Sequence, residues 1–349
     1  MRMMHLLLPR IASGLSRFPV WLLALLLASC NEEIDLIVPG DPEPVVYCLL
    51  DPTSPVQYVR VSQTYAINAD EPFRKPSQEE ILIHDPVEIY LAAELEGQRQ
   101  ELYYAERIDS IPKDTGWFPS SQHPLYAIRC KLQPGTRYSL YVWFPESRRM
   151  VHGETLCLGS GLRVIDPELV PGREATLISG IDFTVRVRTV LYGRIFQSTM
   201  TFRYAELEGG VTRIRELHLP QPFFYQHDTT INLVEQRISG DRFLIDVSRK
   251  LQPNPAVRRI PLGLDFHISC GGDDLALKIM AENNTQSFSI LDVNSFDNAY
   301  GVFSCLTHCF VRDVPLSTFT IDTLAMGSMT RNLGFLTSKQ IDSLRYELF

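Results

Sequence analysis

The densest cluster of chemically capable side chains is Cys305-Leu306-Thr307-His308-Cys309, two thiols and an imidazole within five residues. Thiolates and imidazoles are good zinc ligands, so the run invites a metal reading. Its spacing argues otherwise. The order is not the Cys-x-x-Cys-His of haem attachment, and no second cluster supplies further ligands at a familiar separation. If residues 302–310 form a strand, Cys305 and Cys309 share a face roughly 13 Å apart while His308 points the other way. That pair could neither grip one ion nor form a disulfide, whose Cα atoms must lie within about 7 Å. Buried cysteines on a strand are the simpler reading, and no metal is assigned. Beyond these, Cys48, Cys130, Cys157 and Cys270 complete a set of widely spaced thiols whose pairing the sequence leaves open.

Other chemistry finds less support. His84, His123, His152, His218, His227 and His267 are scattered, with no His-x-His or His-Glu-x-x-His pattern for metal-assisted hydrolysis. Gly159-Ser160-Gly161 is too short for a nucleophile elbow, and there is neither a P-loop nor a dinucleotide fingerprint. Carboxylates are abundant, but spacing along a β chain does not say which two stand about 5–9 Å apart as glycosidases require. The expectation is a non-enzymatic protein with no cofactor. Nucleic acid is excluded as a partner by charge, since 33 Lys and Arg face 41 Asp and Glu and the longest basic runs are pairs such as Arg148-Arg149 and Arg258-Arg259.

One cysteine carries a specific signal. Arg2, Arg10 and Arg17 precede an apolar stretch from Val20 to Ala28 that ends Leu27-Ala28-Ser29-Cys30. Such a stretch is too short to span a bilayer core, which needs roughly 20 residues, and reads as a secretion signal over residues 1–29. The small residues before Cys30 look like a bacterial lipobox, in which the thiol is acylated and becomes the new N-terminus. Cys30 is therefore expected to be a lipidation site and a membrane tether. Residues 30–44 follow as a tether, acidic at Glu32, Glu33 and Asp35 and stiffened by Pro39, Pro42 and Pro44. The acidic cluster resembles the signal that sends lipoproteins to the outer face of the outer membrane.

The elements that must position any site are strands. Val59, Val61 and Tyr65 share a face; Val87, Ile89 and Leu91 alternate with Glu88 and Tyr90; Tyr138, Leu140, Val142 and Phe144 alternate with Ser139, Tyr141 and Trp143. The turn Pro134-Gly135 ahead of Tyr138 resembles the tyrosine corner of an immunoglobulin-like sandwich. The fold class is all-β, with an immunoglobulin/fibronectin-like sandwich over residues 45–158, a linker at 159–173 and an antiparallel β-rich domain with short helices over 174–349. In that second part, strands are expected at Ile181 to Val187, Met200 to Tyr204, Phe243 to Val247 and Leu262 to Ile268. Helices are expected from Asp273 through Glu282, burying Leu275 and Ile279 with Ala276 and Met280 as further candidates, and after the Thr337/Gln340 capping box. Trp117-Phe118 and Phe223-Phe224-Tyr225, beside prolines, pin loops or, if exposed, contact ligand.

The lipobox, the acidic tether, Val45-Val46-Tyr47 after Pro44, the stretch from Leu132 to Val142, the helix from Asp273, and above all the segment Asn294 to Phe303 together resemble a Bacteroidetes outer-membrane lipoprotein family, domain of unknown function 4249. The family tends to show an Asn, a few residues, then Gly-x-Phe entering a strand. Cys305 and Cys309 depart from it, standing where small or apolar residues are usual. The resemblance implies a lipid-anchored outer-membrane protein, often encoded beside TonB-dependent receptors, and no known reaction. On that basis the expected role is a surface accessory of a TonB-dependent transport system. The alternatives are a fimbrillin-like adhesin subunit, for which Arg60 would be the candidate processing site, and a surface hydrolase.

Overall fold

The computed structural model describes residues 41–65, 74–84, 86–95, 98–109, 124–168, 172–226, 232–283 and 294–347. Residues 42–65 and 75–349 form one compact unit, while the other unit, 1–41 with 66–74, falls almost wholly outside the described residues. Cys30, Glu32, Glu33, Trp117 and Phe118 also lie outside them.

The chain is mainly β, as its alternation implies. The N-terminal half runs β1 (Pro44–Leu50), β2 (Val56–Gln63), a one-turn helix α1 (Gln78–Ile81), β3 (Glu88–Leu95), β4 (Gln98–Ile108), β5 (Leu125–Arg129), β6 (Arg137–Phe144) and β7 (Arg149–Leu156). Strand order is β1-β2-β5 on one side and β4-β3-β6-β7 on the other. β4 makes the corner, pairing with β3 up to Tyr104 and with β5 from Ala105 onward. Inward residues of period two, Val46, Val59 and Ile128 from one side and Leu91, Leu140 and Val151 from the other, are fully buried and close the first core. Tyr138 sits in that core with its phenol oxygen accepting the backbone N–H of Gln133 at 2.8 Å, the tyrosine corner of an immunoglobulin-like sandwich.

The stretch 159–173, expected as a linker, instead holds β8 (Arg163–Asp166), whose Val164 is fully buried. Its glycines and prolines bracket the strand rather than replace it. β8 joins β9 (Phe183–Arg188), and later β13 (Leu233–Ile238), in a three-stranded sheet. Ile181, read from its alternation as part of this strand, precedes it and is exposed. Opposite lie β10 (Ile195–Glu208), its hairpin partner β11 (Val211–Pro220), the short β12 (Phe224–Tyr225), β14 (Arg258–Gly271) and, after the two-residue β15 (Phe296–Asp297), β16 (Tyr300–Val314). Between the two sheets a second core gathers Phe183, Val185, Phe202 and Phe266.

Among the described residues four α-helices punctuate this half: α2 (Gly240–Lys250), α3 (Asp273–Asn283), α4 (Thr318–Met326) and α5 (Ser338–Glu347). The first of them corrects the strand expected at Phe243 to Val247. Ser239 caps it, its hydroxyl accepting the N–H of Arg242, and Arg249 and Lys250 end it, so Phe243, Leu244 and Val247 form a buried helical stripe. α5 begins where expected, with Thr337 and Gln340 exchanging side-chain and backbone hydrogen bonds at 3.0 and 3.3 Å. In α3, of the four candidates only Ala276 is buried, while Leu275 and Ile279 are half-buried and Met280 is exposed.

β10, β14 and β16 are long enough to serve both cores. Phe196, Cys270 and Phe303 enter the first, and Met200, Phe266 and Val311 on the same three strands enter the second. The join is made by β16, which pairs antiparallel with β14 and parallel with β1, Val46 opposite Gly301. Gly301 is obligatory there: its φ is +132°, and a Cβ would collide with the carbonyl oxygen of Val46. Asn294 secures the approach, accepting the Gly301 N–H at 3.1 Å and donating to the Ala299 carbonyl at 2.7 Å. The Asn and Gly-x-Phe pattern thus has a structural cause: a clamp, a close backbone contact and a core anchor.

Candidate functional site

The inward faces of β1, β2 and β16 fill the first core, so their alternate residues form an outer face. Cross-strand pairing arranges these in two rows, Tyr300–Val45–Ser62 and Val302–Tyr47–Arg60. Tyr47 and Tyr300 are nearly half exposed, far more than a sheet floor under a helix would leave them. Over the rows lies a cavity of about 550 Å³ whose walls are Val45, Tyr47, Tyr65, Tyr300 and Ile81, with Arg60, Ser62, Gln63 and Thr64 as polar lining. A shallower depression of about 260 Å³ continues on the far side of Tyr47 toward α3, touching Leu49, Leu275 and Ile279.

Local bonds hold this site in shape. Gln63 donates its side-chain amide to the Glu80 carbonyl at 3.1 Å, docking α1 beside β2. α1 is itself fixed by a capping box between Ser77 and Glu80, and its Ile81 is buried. Thr64 is tied twice to Glu43: its hydroxyl accepts the Glu43 N–H, and its own N–H reaches the Glu43 carbonyl, both at 2.9 Å.

Arg60 gives the cavity its chemistry. Its Nε is buried without a hydrogen-bond partner, and among the described residues no carboxylate lies within ion-pair distance of its guanidinium. Burial lowers the Arg60 pKa, with Tyr47 acting in the opposite sense. An arginine nevertheless stays charged, so a partly dehydrated cation faces a cavity lined by phenols, hydroxyls and an amide. Planar guanidinium donors of this kind suit a carboxylate, and flanking tyrosines suit a flat or apolar body. No motif in the sequence marked this pocket; only the pairing of β1 with β2 and β16 brings residues 47, 60 and 300 together. As a processing site Arg60 is poorly placed, since β2 is hydrogen-bonded to β1 on one edge and β5 on the other.

The run Cys305 to Cys309 lies on β16 as its strand reading required. Cys305 is fully buried in the first core, and Cys309 packs against the second. His308 is on the opposite face, its Nδ1 3.9 Å from Asp51. Burial pushes the Cys309 thiol up to about 12 and Cys130 up to about 11, which keeps both protonated. Among the described residues no three His, Cys, Asp or Glu side chains converge as a metal site.

Two aromatic features complete the survey. Phe224 stacks on Phe196 at 5.1 Å, so the 223–225 group does pin its loop, with Phe223 left at the surface. A ladder the sequence did not announce crosses the outer face of the second sheet, from Tyr104 to Tyr90, Tyr141 and His152, at centroid separations of 6.0, 4.7 and 4.6 Å. Its members are register partners on β4, β3, β6 and β7. Because the inner rings stack on one another, their faces are occupied, and the ladder stabilises the sheet rather than offering a flat platform.

No known protein family matches the chain, and no curated protein does. Among solved structures it is similar to a chain of a cytokine receptor complex, with a TM-score of 0.22 and 8% identity over 78% of this chain and 98% of that one. It is also similar to the Parabacteroides merdae beta-glucuronidase with glycerol in its active site, with a TM-score of 0.17 and 8% identity over 67% of this chain and 23% of that one. Likenesses this weak assign neither a fold family nor an activity.

Proposed function

We propose that this chain is a non-enzymatic binding component of the bacterial outer membrane, tethered through lipid on Cys30 and accessory to a TonB-dependent transport system. The single observation that supports binding is the Arg60 pocket. Arg60 is half-buried with its Nε unsatisfied and no carboxylate among the described residues to pair with it, so a ligand that carries a carboxylate would supply the missing partner. The apolar stretch before Cys30 and the acidic residues after it support the tether and its outward orientation, and the resemblance to domain of unknown function 4249 supports the transport setting. The adhesin alternative gains nothing from the strand pattern: β1 is hydrogen-bonded on both edges, so removing it for strand exchange would expose β2 and β16 together.

The test is a crosslinked affinity purification from intact cells through a C-terminal tag, with Cys30→Ala as the unanchored control and Arg60→Gln as the pocket control. One TonB-dependent barrel protein is expected from the native chain and not from Cys30→Ala. Binding of carboxylate-bearing cargo is expected to weaken at least tenfold in Arg60→Gln, with the barrel still recovered. Recovery of the chain alone, in ladders, would reject the transport reading in favour of an assembling subunit.

A further inference from the structure

The first core contains a feature that no ligand reading uses. Cys157 and Cys305, 148 residues apart in sequence, bring their Sγ atoms to 4.0 Å inside it, and both side chains are completely buried. Their backbones are fixed from both sides. Cys157 donates its N–H to the Thr136 carbonyl at 2.9 Å and accepts from Gly135 at 3.0 Å, while Cys305 accepts from Gly272 at 2.9 Å. The Leu158 N–H reaches the Cys305 sulfur at 3.3 Å, which holds the second sulfur against the chain segment carrying the first. Cys130 is a competitor, close enough for its thiol to feel the charge of Cys157.

We propose that Cys157 and Cys305 form a disulfide in the exported protein, stapling the end of β7 to β16 across the first core. The inference rests on the export half of the function proposed above and is independent of the ligand. Rotation of the two side chains must close the sulfur separation to about 2.05 Å. The oxidant is the disulfide of an envelope thiol–disulfide oxidoreductase or of oxidised glutathione. One thiolate attacks a sulfur of that disulfide and releases its partner as a thiolate. The second cysteine thiolate then displaces the remaining sulfur, so two protons and two electrons pass from the cysteines to the oxidant, which leaves as two thiols. Burial of both sulfurs means that the bond closes during folding, before the core is sealed. A cross-link over so long a loop restricts the unfolded chain strongly.

The mature chain, with Cys30→Ala, is refolded from the reduced, unfolded state in mixed reduced and oxidised glutathione, alkylated and digested without reduction. A peptide pair joining Cys157 to Cys305, with Cys48, Cys130, Cys270 and Cys309 alkylated, is the expected result. Alkylation of both Cys157 and Cys305, or a dominant Cys130–Cys157 pair, would overturn it. Oxidised protein is expected to melt on the order of 10 °C above reduced protein. Cys157→Ala and Cys305→Ala should each abolish that difference while Cys130→Ala keeps it; loss of the difference in Cys130→Ala alone would contradict the assignment. Should a variant fail to fold, the oxidised and reduced native chain still give the comparison. Acid-trapped protein from cells should carry the same bond; a bond made in the tube with both thiols free in the cell would overturn the export on which the proposal rests, and leave the Arg60 pocket untouched.

Discussion

The two cores are built around the same three strands and differ most in their thiols. The first carries five of them, Cys48, Cys130, Cys157, Cys270 and Cys305, among aliphatic side chains and rings such as Tyr138, Phe144, Phe196 and Phe303. The second has the half-buried Cys309 at its margin, with Phe202 within 6 Å of Phe243 and Phe335, and helices α2 and α4 packed upon it. It also buries an ion pair. Arg259, 4% exposed, sits 3.0 Å from Glu206 and donates to the Leu333 carbonyl. The first core can therefore be reinforced covalently, whereas the second is reinforced by a polar lock. Neither could be cut free, because β10, β14 and β16 would each be severed in mid-strand. The candidate ligand pocket lies where the join is made, on the outer face of β1 and β16.

The largest expected effect breaks the join. Gly301→Ala forces a Cβ against the Val46 carbonyl and a positive φ on a residue that resists it, at a cost on the order of 3–5 kcal/mol. Chemical denaturation should show the loss, and because Tyr300 is displaced with β16, cargo binding at Arg60 should weaken as well. Unchanged stability would mean that β1 and β16 do not pair. Arg259→Ala comes next, acting from the second core. It strands the Glu206 carboxylate, to which Arg215 at 3.1 Å remains as partial compensation, and should cost about 3 kcal/mol without altering cargo binding. Tyr138→Phe is the smallest, removing one acceptor from the Gln133 N–H for about 1–2 kcal/mol. A stability loss confined to one half of the molecule in any of these would separate the cores.

How far the sequence could reach follows from the range of each signal. Period two marked β6 and its buried Tyr138, Leu140, Val142 and Phe144, because alternation is local and this strand has one wet face. The Thr337/Gln340 box gave the start of α5 for the same reason. α2 was hidden because Phe243-Leu244-Ile245-Asp246-Val247 is a short apolar run that fits either a strand or a buried helix, and the Ser239 cap decides between them. Glycines and prolines at 159–173 suggested a free linker, yet they flank a buried strand. The site was illegible for a different reason. Tyr47 and Arg60 are neighbours in a local antiparallel pair, but Tyr300 joins them only through a parallel pairing across some 250 residues, which no spacing rule contains, and Cys157 meets Cys305 across a separation no rule contains either.

The claim that joins these points is that the shared strands make the two cores one cooperative body. It is tested directly by unfolding Trp117→Phe mature chain in urea, following the fluorescence of Trp143 on β6 and, in parallel, the circular dichroism of the helices, most of which pack in the other half. A single transition with coincident midpoints is expected. Two separated transitions, the Trp143 signal changing while the helices persist or the reverse, would contradict it.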